Sequence, residues 1–416
     1  MPPRKSGDSP LSLVNTRPGS AEQPAASSAS VYRQRFSVSY EYPVYFTDDV
    51  FEVDNPILAE ALCELEPSRE QRVVFFIDAN VAAASRMLKE RITAYVNARP
   101  GRLKLVCAPE VLAGGEHVKN DPALVERLQR RLCDLGMDRH AWVVCVGGGA
   151  LLDLVGYAAA TTHRGVRHIR IPTTVLAQCD SGVGVKNAVN AFGKKNFLGC
   201  FAPPHAVIND ASFLETLPQR DRICGLAEAV KVALIRDAVF FNWLESSADA
   251  LHRGEPRAMG QAIRRCAELH MRQIAHGGDP FERGSGRPLD FGHWSAHRLE
   301  ALTHNDVRHG EAVATGVALD TRYSVQVGML EPGADKRVHQ LLSRLGLCLW
   351  HPALLARDDN GRYALLDGLE EFREHLGGEL TVTMLRGIGR GEEINVVDHQ
   401  QVLAAIKWLQ QQEGGR

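Results

Sequence analysis

The sequence predicts an α/β protein in which a parallel-sheet half precedes a mainly helical half. Strand and helix patterns alternate over residues 32–210, as in a parallel sheet covered by helices. The second half instead carries helical patterns in succession, and its strongest strand pattern comes late, at residues 380–385. We therefore predict a disordered, Ser- and Pro-rich tail (1–31), an α/β domain (32–218) and a helical domain (219–416).

The composition excludes several classes of protein. The 416 residues carry a formal net charge of −2, which gives no electrostatic basis for binding nucleic acid or an anionic membrane. No apolar run is long enough to span a bilayer, and the N-terminus lacks the apolar segment of a signal peptide. The nine cysteines include no C-x-x-C pair, as expected for reduced thiols, so we expect a cytoplasmic protein.

The first strands are predicted from alternation and from apolar runs. Residues 32–46 alternate between apolar and polar side chains, which predicts a half-buried strand. A buried strand at 73–78 ends in Asp78, with Asn80 just beyond, where a carboxylate is well placed to bind a ribose hydroxyl. The alternative is that Asp78 caps the following helix. The next predicted elements are a strand (103–107) and a helix (122–135).

The centre of the α/β half is a glycine turn between a strand and a helix. An apolar strand (142–146) is followed by three glycines, Gly147, Gly148 and Gly149. An apolar-periodic helix (150–162) and a second strand (168–172) complete the unit. This βαβ unit presents backbone N–H groups and a helix N-terminus to an anion, and the diphosphate of a nucleotide cofactor fits there. Because the pattern G-x-G-x-x-G is absent, a tight turn that binds nothing is the alternative.

Residues 178–203 are predicted to form a long functional loop before a last strand at 206–210. The segment is rich in Gly, Asn and Lys although apolar segments flank it, and long irregular loops usually serve function. Solvated surface positions are the alternative for its polar residues. The polar residues that we single out are Asp180, Lys186, Lys195 and Asn196.

Three residues of the helical half are candidate metal ligands. One carboxylate, Glu228, and two imidazoles, His293 and His309, form a donor set suited to Zn²⁺ with open positions for substrate oxygens. His297 would share a helix face with His293, so these two form another possible pair. An ordinary core or surface histidine is the alternative for each. The predicted helices here are 221–236, 238–251, 258–275, 309–327 and 334–345.

Charged residues near these ligands favour a phosphorylated, hydroxyl-rich substrate. Lys231 follows Glu228 by one helical turn in an apolar segment, where an unpaired charge is costly. A surface ion pair between the two is the alternative. Lys186, Lys231 and Arg287 suit a phosphate group, and Asp290 suits hydroxyl hydrogens.

Several ordered motifs give the chain a resemblance to the 3-dehydroquinate synthase superfamily, the sugar phosphate cyclases. They are GGGALLDLVGYAAATTHRG, IPTTVLAQCDSGVGVKNAVN, GKKN, FLETLP, GLAEAVK, FGHWSAH and HGEAV, and the match covers roughly residues 40–390. The resemblance implies an N-terminal Rossmann-like parallel-sheet domain, a C-terminal helical domain and an active site in the cleft between them. It also implies a homodimer.

The same resemblance implies cofactors and their ligands. NAD⁺ would lie at the glycine turn, and Zn²⁺ or Co²⁺ would be bound by Glu228, His293 and His309. The implied ligands of NAD⁺ are Asp78, Asn80, Glu116, Lys119, Gly147, Gly148, Gly149, Asp153, Thr173, Thr174, Lys195, Phe213 and Thr216. The residues implied around the substrate are Arg164, Asp180, Lys186, Asn196 and Lys231.

The implied reaction regenerates its nicotinamide cofactor in every cycle. A ring hydroxyl is oxidised to a ketone, phosphate leaves by β-elimination, and the hydride then returns. Ring opening and an intramolecular aldol reaction close a carbocycle. The implied product is a cyclitol, with no net change in the cofactor.

Departures from the usual motifs indicate the substrate. Asp290 replaces an Asn of dehydroquinate synthases, Arg287 is shifted by one residue, Asn187 replaces a Thr, and His375 stands near a lysine-rich, carboxylate-binding segment of those enzymes. Asp290 and His375 resemble 2-epi-5-epi-valiolone synthases, which use sedoheptulose 7-phosphate, whereas His297 follows dehydroquinate synthases. We expect a neutral seven-carbon ketose phosphate. The alternatives are 3-dehydroquinate synthase, a metal-dependent NAD polyol dehydrogenase and a non-catalytic scaffold.

Overall fold

The computed structural model describes residues 31–284 and 286–413, except for the side chain of His375. Most of the predicted tail therefore lies outside the described residues. Residues 31–40 have no regular structure and expose their side chains, and the compact unit begins at Glu41. The strand predicted at 32–46 is wrong for most of its length, since β1 spans only Val44–Thr47. Alternation alone does not make a strand where no neighbouring strand accepts its hydrogen bonds.

A parallel sheet forms the core of the α/β half. The strands before residue 211 are β1, β2 (Gln71–Asp78), β3 (Leu103–Leu105), β4 (Glu110–Leu112), β5 (Trp142–Gly147), β6 (Arg167–Pro172), β7 (Lys186–Ala191), β8 (Lys194–Phe201) and β9 (Ala206–Asp210). The order in the sheet is β1-β9-β6-β5-β2-β3, with β4 also paired to β2. All these pairs are parallel, so Asp78, Gly147 and Pro172 end their strands at the same edge. The predicted fold class is confirmed.

Helices cover both faces of the sheet because its strands are apolar on both sides. They are α1 (Ile57–Cys63), α2 (Ala79–Ala84), α3 (Leu88–Asn97), α4 (Pro122–Asp134) and α5 (Gly149–Thr161). One face of β2, with Phe75, packs with α1 and α3, whereas the other, with Phe76, packs with α4 and α5. The predicted βαβ unit is present as β5–α5–β6, with the glycine turn at the edge where the strands end.

The long loop predicted at 178–203 is instead largely a β-hairpin. β7 and β8 pair antiparallel, and the two-residue turn between them, Phe192 and Gly193, has positive φ at both positions. Asn, Gly and Lys are uncommon in strands, and this composition concealed the pattern in the sequence. Asp180 precedes the hairpin, in a short helical turn at Ala177–Ser181.

The buried Arg170 fixes the segment between that turn and the hairpin. Its guanidinium donates hydrogen bonds at 2.8–3.3 Å to four backbone carbonyls, those of Ser181, Gly182, Gly184 and Lys186. It also donates to Asn187 Oδ1 at 2.7 Å. The side chain of Asn187 is therefore turned into the core, and its replacement of a usual Thr serves packing against Arg170.

Helices dominate the chain after residue 218. They are α6 (Gln219–Arg236), α7 (Ala238–His252), α8 (Pro256–His276), α9 (His293–Leu302), α10 (His309–Gln326), α11 (Ala334–Arg344), α12 (Asp367–His375) and α13 (His399–Glu413), with a hairpin of β10 (Val382–Gly387) and β11 (Arg390–Ile394). The five predicted helices agree with these bounds to within two residues. None of the helices in the described part of the chain has the length and apolar character needed to cross a bilayer.

Helix α6 is the centre of the helical half. Every residue from Ile223 to Ile235 is buried, and α6 packs against α7, α8 and α10. A helix that is apolar on all sides is expected in such a position. Glu228 and Lys231 are therefore carried into the interior, on the same helix face.

Candidate metal and cofactor site

The three predicted metal ligands converge although they lie on three helices. Glu228 lies in α6, and His293 and His309 are the first residues of α9 and α10. Their ligand atoms lie within 4.8 Å of one another. Glu228 Oε1 is 4.0 Å from His293 Nε2 and 3.8 Å from His309 Nε2. One carboxylate and two imidazoles around one point fit a divalent ion with positions left for substrate.

Hydrogen bonds at Nδ1 orient both imidazoles. His293 Nδ1 donates to the carbonyl of Phe291 at 3.2 Å, and His309 Nδ1 donates to Glu300 Oε2 at 3.1 Å. The other oxygen of Glu300 accepts from Lys195 Nζ at 2.8 Å. A proton on Nδ1 leaves the Nε2 lone pair free toward Glu228, which is the form in which histidine binds metal. Burial and the nearby Lys231 hold the pKa of His293 well below its usual value, which keeps this ring neutral.

Glu228 is fully buried with unused hydrogen-bonding capacity. Its Oε2 forms an ion pair with Lys231 Nζ at 2.5 Å, but neither Glu228 oxygen has a hydrogen-bond partner among the described residues. Both side chains are at most 1% exposed, so the surface ion pair considered as an alternative is wrong. A buried carboxylate oxygen without a donor is costly, and such an atom is expected where a ligand is meant to bind.

A second charged pair lies beside Lys231. Asp180 Oδ2 is 3.7 Å from Lys231 Nζ, and Asp180 Oδ1 is 3.5 Å from His270 Nε2 on α8. Burial alone would raise the pKa of Asp180, but His270 and Lys231 hold it below its usual value. Burial alone would lower the pKa of His270, but Asp180 raises it to about 9. His270 is therefore a cation at neutral pH, and its distance along the chain from Asp180 hid it from sequence analysis.

His297 lies next to the triad of candidate ligands, which is Glu228, His293 and His309. Its ring centroid is 5.3 Å from that of His293 and 5.9 Å from that of His309. Its ligand atoms also group with those of Glu300 and His309 within 4.8 Å. Burial and the cation of Lys195 lower the pKa of His297 to about 3, so the imidazole is neutral at working pH. Glu300 links both arrangements and was missed in the sequence.

The glycine turn brings backbone and hydroxyl groups close together. A Cβ on Gly149 would lie 2.5 Å from Ser181 Oγ, so glycine lets this hydroxyl approach the backbone closely. The first turn of α5 has no side-chain cap, because its N-cap is Gly148. The hydroxyls of Ser181 and Thr173 are buried and lack hydrogen-bond partners among the described residues. Free hydroxyls and an uncapped helix N-terminus are donors that a diphosphate uses.

Charged side chains near the start of α5 form a network. Lys119 is buried, and its Nζ lies 2.7 Å from Asp153 Oδ2 and 3.9 Å from Glu116 Oε1. Lys119 Nζ also donates to Asn196 Oδ1, and Lys195 Nζ is 3.8 Å from Glu116. Five residues predicted around the cofactor or the substrate therefore meet in one place. Asn196, which was predicted to lie around the substrate, belongs to this network through its hydrogen bond with Lys119.

The predicted phosphate-binding cations meet a carboxylate that sequence analysis missed. Lys186 Nζ is 2.6 Å from Glu282 Oε1, and Arg287 Nε is 3.7 Å from Glu282 Oε2. Asp290 lies in the short helical turn that follows Arg287, near enough to act on the charges of Lys186 and Lys231. Glu282 has no recognisable spacing to either cation in the sequence, which is why it was overlooked.

The other predicted residues lie at or beyond the border of this region. Asp78 caps α2 by accepting a hydrogen bond from Asn80 N at 2.8 Å, and its Cβ lies beside the glycine turn, 3.2 Å from where a Cβ on Gly147 would be. Phe213 and Thr216 follow β9, where Phe213 is buried and its carbonyl accepts a bond from Thr216. Arg164 is exposed beyond the C-terminal end of α5, whose 13 residues span about 20 Å from the glycine turn. The side chain of His375 lies outside the described residues.

Comparisons with known proteins identify the family of this chain. Residues 110–224 match the model of the 3-dehydroquinate synthase N-terminal family, and residues 225–365 match that of the C-terminal family. The 2-epi-5-epi-valiolone synthase of Streptomyces glaucescens is 35% identical over 375 residues, which cover 89% of this chain and 91% of that protein. The chain belongs to the 3-dehydroquinate synthase family, and the resemblance found in the sequence is confirmed.

Two solved structures are similar in fold. ValA, a 2-epi-5-epi-valiolone synthase from Streptomyces hygroscopicus subsp. jinggangensis solved with NAD⁺ and Zn²⁺, has a TM-score of 0.80 and 29% identity. The match covers 92% of this chain and 100% of ValA. A 2-deoxy-scyllo-inosose synthase, complexed with carbaglucose-6-phosphate, NAD⁺ and Co²⁺, has a TM-score of 0.71 and 23% identity, over 88% of this chain and 96% of that chain. The second likeness bears on the fold alone.

Replacing Lys231 with Met should destabilise the protein strongly when no metal is present. The variant leaves Glu228 as a buried, uncompensated charge, and we expect unfolding to cost about 3–5 kcal/mol less than in the wild type. Urea unfolding in the presence of a chelator measures this loss. The double variant Glu228→Gln, Lys231→Met should recover most of it.

A matched control is Arg130→Met, because the ion pair of Arg130 with Glu126 is 70% exposed on both sides. That variant should unfold like the wild type. A Lys231→Met variant as stable as this control would contradict the buried pair.

Proposed function

We propose that the chain is an NAD⁺- and divalent-metal-dependent sugar phosphate cyclase that eliminates phosphate from a seven-carbon ketose phosphate such as sedoheptulose 7-phosphate. The observation that carries the proposal is the buried Glu228 with His293 and His309, next to Lys231 and Asp180. A redox cofactor, a metal and phosphate-binding cations are the parts that such a reaction needs.

The cofactors are proposed from relatives and from the donor chemistry of this chain. ValA holds NAD⁺ and Zn²⁺, and the glycine turn and the Glu228 triad offer donors of the matching kinds. When bound, NAD⁺ supplies reversible hydride transfer and the divalent ion supplies polarisation of substrate oxygens. Glu228 Oε1 and the hydroxyl of Thr173 lack hydrogen-bond partners in the part of the chain that the structure describes, and such ligands would satisfy them.

The residues of this chain bind and orient the substrate. Lys186 and Arg287 flank Glu282, and we propose that a phosphate group takes the place of this carboxylate between them. Asp180 is an anion held between Lys231 and His270, so it accepts a hydrogen bond from a substrate hydroxyl. Lys231 and His270 are each 1% exposed, and this burial strengthens their charge interactions with Asp180.

The charge of Asp290 supports a neutral substrate head group over a carboxylate. It lies near Lys186 and Lys231 and raises the pKa of both amines against the effect of burial. A substrate carboxylate at this place would meet a like charge, whereas a hydroxyl donates to it. The 35% identity to a valiolone synthase agrees with this choice.

Several expectations from the sequence stay proposals. These are the division into an α/β domain (32–218) and a helical domain (219–416), the homodimer, and the cytoplasmic location. Arg164 also stays a proposed substrate contact, although it lies beyond the end of α5 that is opposite to the glycine turn.

Phosphate release tests the function directly. The purified protein with NAD⁺ and Zn²⁺ or Co²⁺ should release phosphate from sedoheptulose 7-phosphate without accumulating NADH, because the hydride returns in each cycle. Release only from the seven-carbon acid that dehydroquinate synthases use would indicate 3-dehydroquinate synthase. Accumulating NADH without phosphate release would indicate a polyol dehydrogenase. No reaction with either substrate would favour another sugar phosphate as the substrate, or a non-catalytic scaffold.

Replacing His293 with Ala should remove the bound metal and abolish turnover while the protein stays folded. With one of three protein ligands lost, the site binds the ion too weakly to retain it through dialysis. Metal content after dialysis and far-ultraviolet circular dichroism measure both properties. His297→Ala is the matched control on the next turn of α9 and should retain metal. If His297→Ala loses the metal and His293→Ala keeps it, the ion is instead bound by the group of His297, Glu300 and His309.

Replacing Asp290 with Asn should change substrate preference without weakening NAD⁺ binding. We expect kcat/KM for sedoheptulose 7-phosphate to fall by at least about tenfold, which corresponds to one charged hydrogen bond. Steady-state kinetics with both seven-carbon substrates measures the preference. Weakened NAD⁺ binding with an unchanged substrate profile would remove Asp290 from the substrate site.

A further inference from the structure

Asp320 is a buried carboxylate on α10 that holds the start of α9. Its Oδ2 accepts a hydrogen bond from Gly292 N at 3.1 Å, and its Oδ1 accepts one from Trp294 Nε1 at 3.0 Å. These two donors belong to the residues on either side of His293. In a capping box, a Glu at the third helical position accepts the N–H of the N-cap residue. Helix α9 has Ser295 at that position, and Asp320 supplies the carboxylate from the neighbouring helix instead.

The backbones of α9 and α10 touch at this point. Gly292 has a φ of +78°, and a Cβ there would lie 2.7 Å from Val317 N. A Cβ on Gly316 would lie 2.0 Å from the carbonyl oxygen of Gly292. The approach leaves no slack for α9 to shift or rotate on α10. Because His309 is the first residue of α10, this helix carries one ligand and also fixes the position of another.

A buried carboxylate is costly at this position. Its presence is explained by its two oxygens, each of which accepts one hydrogen bond. Asp320 is 1% exposed, and both of its donors are neutral. Burial raises the pKa of Asp320 to about 7, against the opposing effect of the bonds from Trp294 and Gly292. Asn would place an amide NH₂ where one of these oxygens stands, so that one of the two donors would face another donor. The double acceptance ties both neighbours of His293 to one rigid group.

We propose that Asp320 is a positioning residue that fixes His293 for divalent-metal binding, an inference that rests on the proposed metal site of Glu228, His293 and His309. Asp320 acts through Gly292 and Trp294 and does not touch the ion. Its loss leaves all three ligands in place but lets the first turn of α9 move. Partners that orient metal ligands are typically worth about 10–100-fold in metal affinity.

The test uses Co²⁺, whose visible absorption reports the geometry of its ligands. Asp320→Asn should weaken Co²⁺ binding at least about tenfold in competition with a chelator and should alter the visible spectrum. Trp294→Phe removes only the donor to Oδ1 and should give a smaller loss in the same direction. This second variant also keeps the test decisive if Asp320→Asn does not fold.

The matched control is Asp335→Asn in the same half of the chain. Asp335 is a buried helical carboxylate, 3% exposed, whose Oδ2 lies 2.6 Å from Arg322 Nη1. This variant should lower the thermal midpoint but leave Co²⁺ affinity and spectrum unchanged at 25 °C. A merely structural role for Asp320 would give this same pattern.

The possible failures are distinguishable. If the wild type, Asp320→Asn and Trp294→Phe all bind Co²⁺ equally well, the role of Asp320 is overturned but the metal site is not. Wild-type protein that binds no Co²⁺ would overturn the metal site, and the positioning role with it.

Discussion

Burying the Glu228 carboxylate in the middle of α6 carries an electrostatic cost that the rest of the site offsets. The carboxylate is 0% exposed, and Lys231, one turn further on, supplies a cation at 2.5 Å. That cation is itself buried, so Asp180 and then His270 follow as alternating charges. A buried ion pair rarely repays its desolvation by its own attraction. The arrangement is therefore better explained by a ligand for Glu228 Oε1 than by a gain in stability.

The site is held in place by buried polar residues that connect distant parts of the chain. Arg170 binds the carbonyls of the segment that precedes the hairpin, and through them places Asp180 and Lys186. Glu300 joins His309 to Lys195 on the hairpin, which links α9 and α10 to the α/β half. The hairpin therefore ties the sheet half to the helical half around the site.

The sequence predicted most of this fold, because apolar periodicity and glycine turns are local properties. The βαβ unit, the central helices and the three candidate ligands follow from local patterns and from the family motifs. Glu282, Glu300 and His270 could not be predicted, since each matters through a partner far along the chain and has no spacing rule. The hairpin was missed because Asn, Gly and Lys obscure strand patterns. The strand predicted at 32–46 is wrong for most of its length, because alternation of apolar and polar residues does not supply a neighbouring strand to pair with.

Charge balance connects the structure to the choice of substrate. Around the triad, Lys231 faces Glu228 and Asp180, while Lys186 and Arg287 face Glu282. With His270 and Asp290 included, four cations and four carboxylates face one another in this part of the described chain before any ligand binds. A divalent ion would add two positive charges, and a phosphate monoester brings about −1.5 to −2 at neutral pH, so the two nearly cancel. An additional substrate carboxylate would have no cation left to neutralise it and would also meet Asp290. A hydroxyl-rich, uncharged head group avoids this cost, and this is the electrostatic reason to favour a ketose phosphate over an acid substrate.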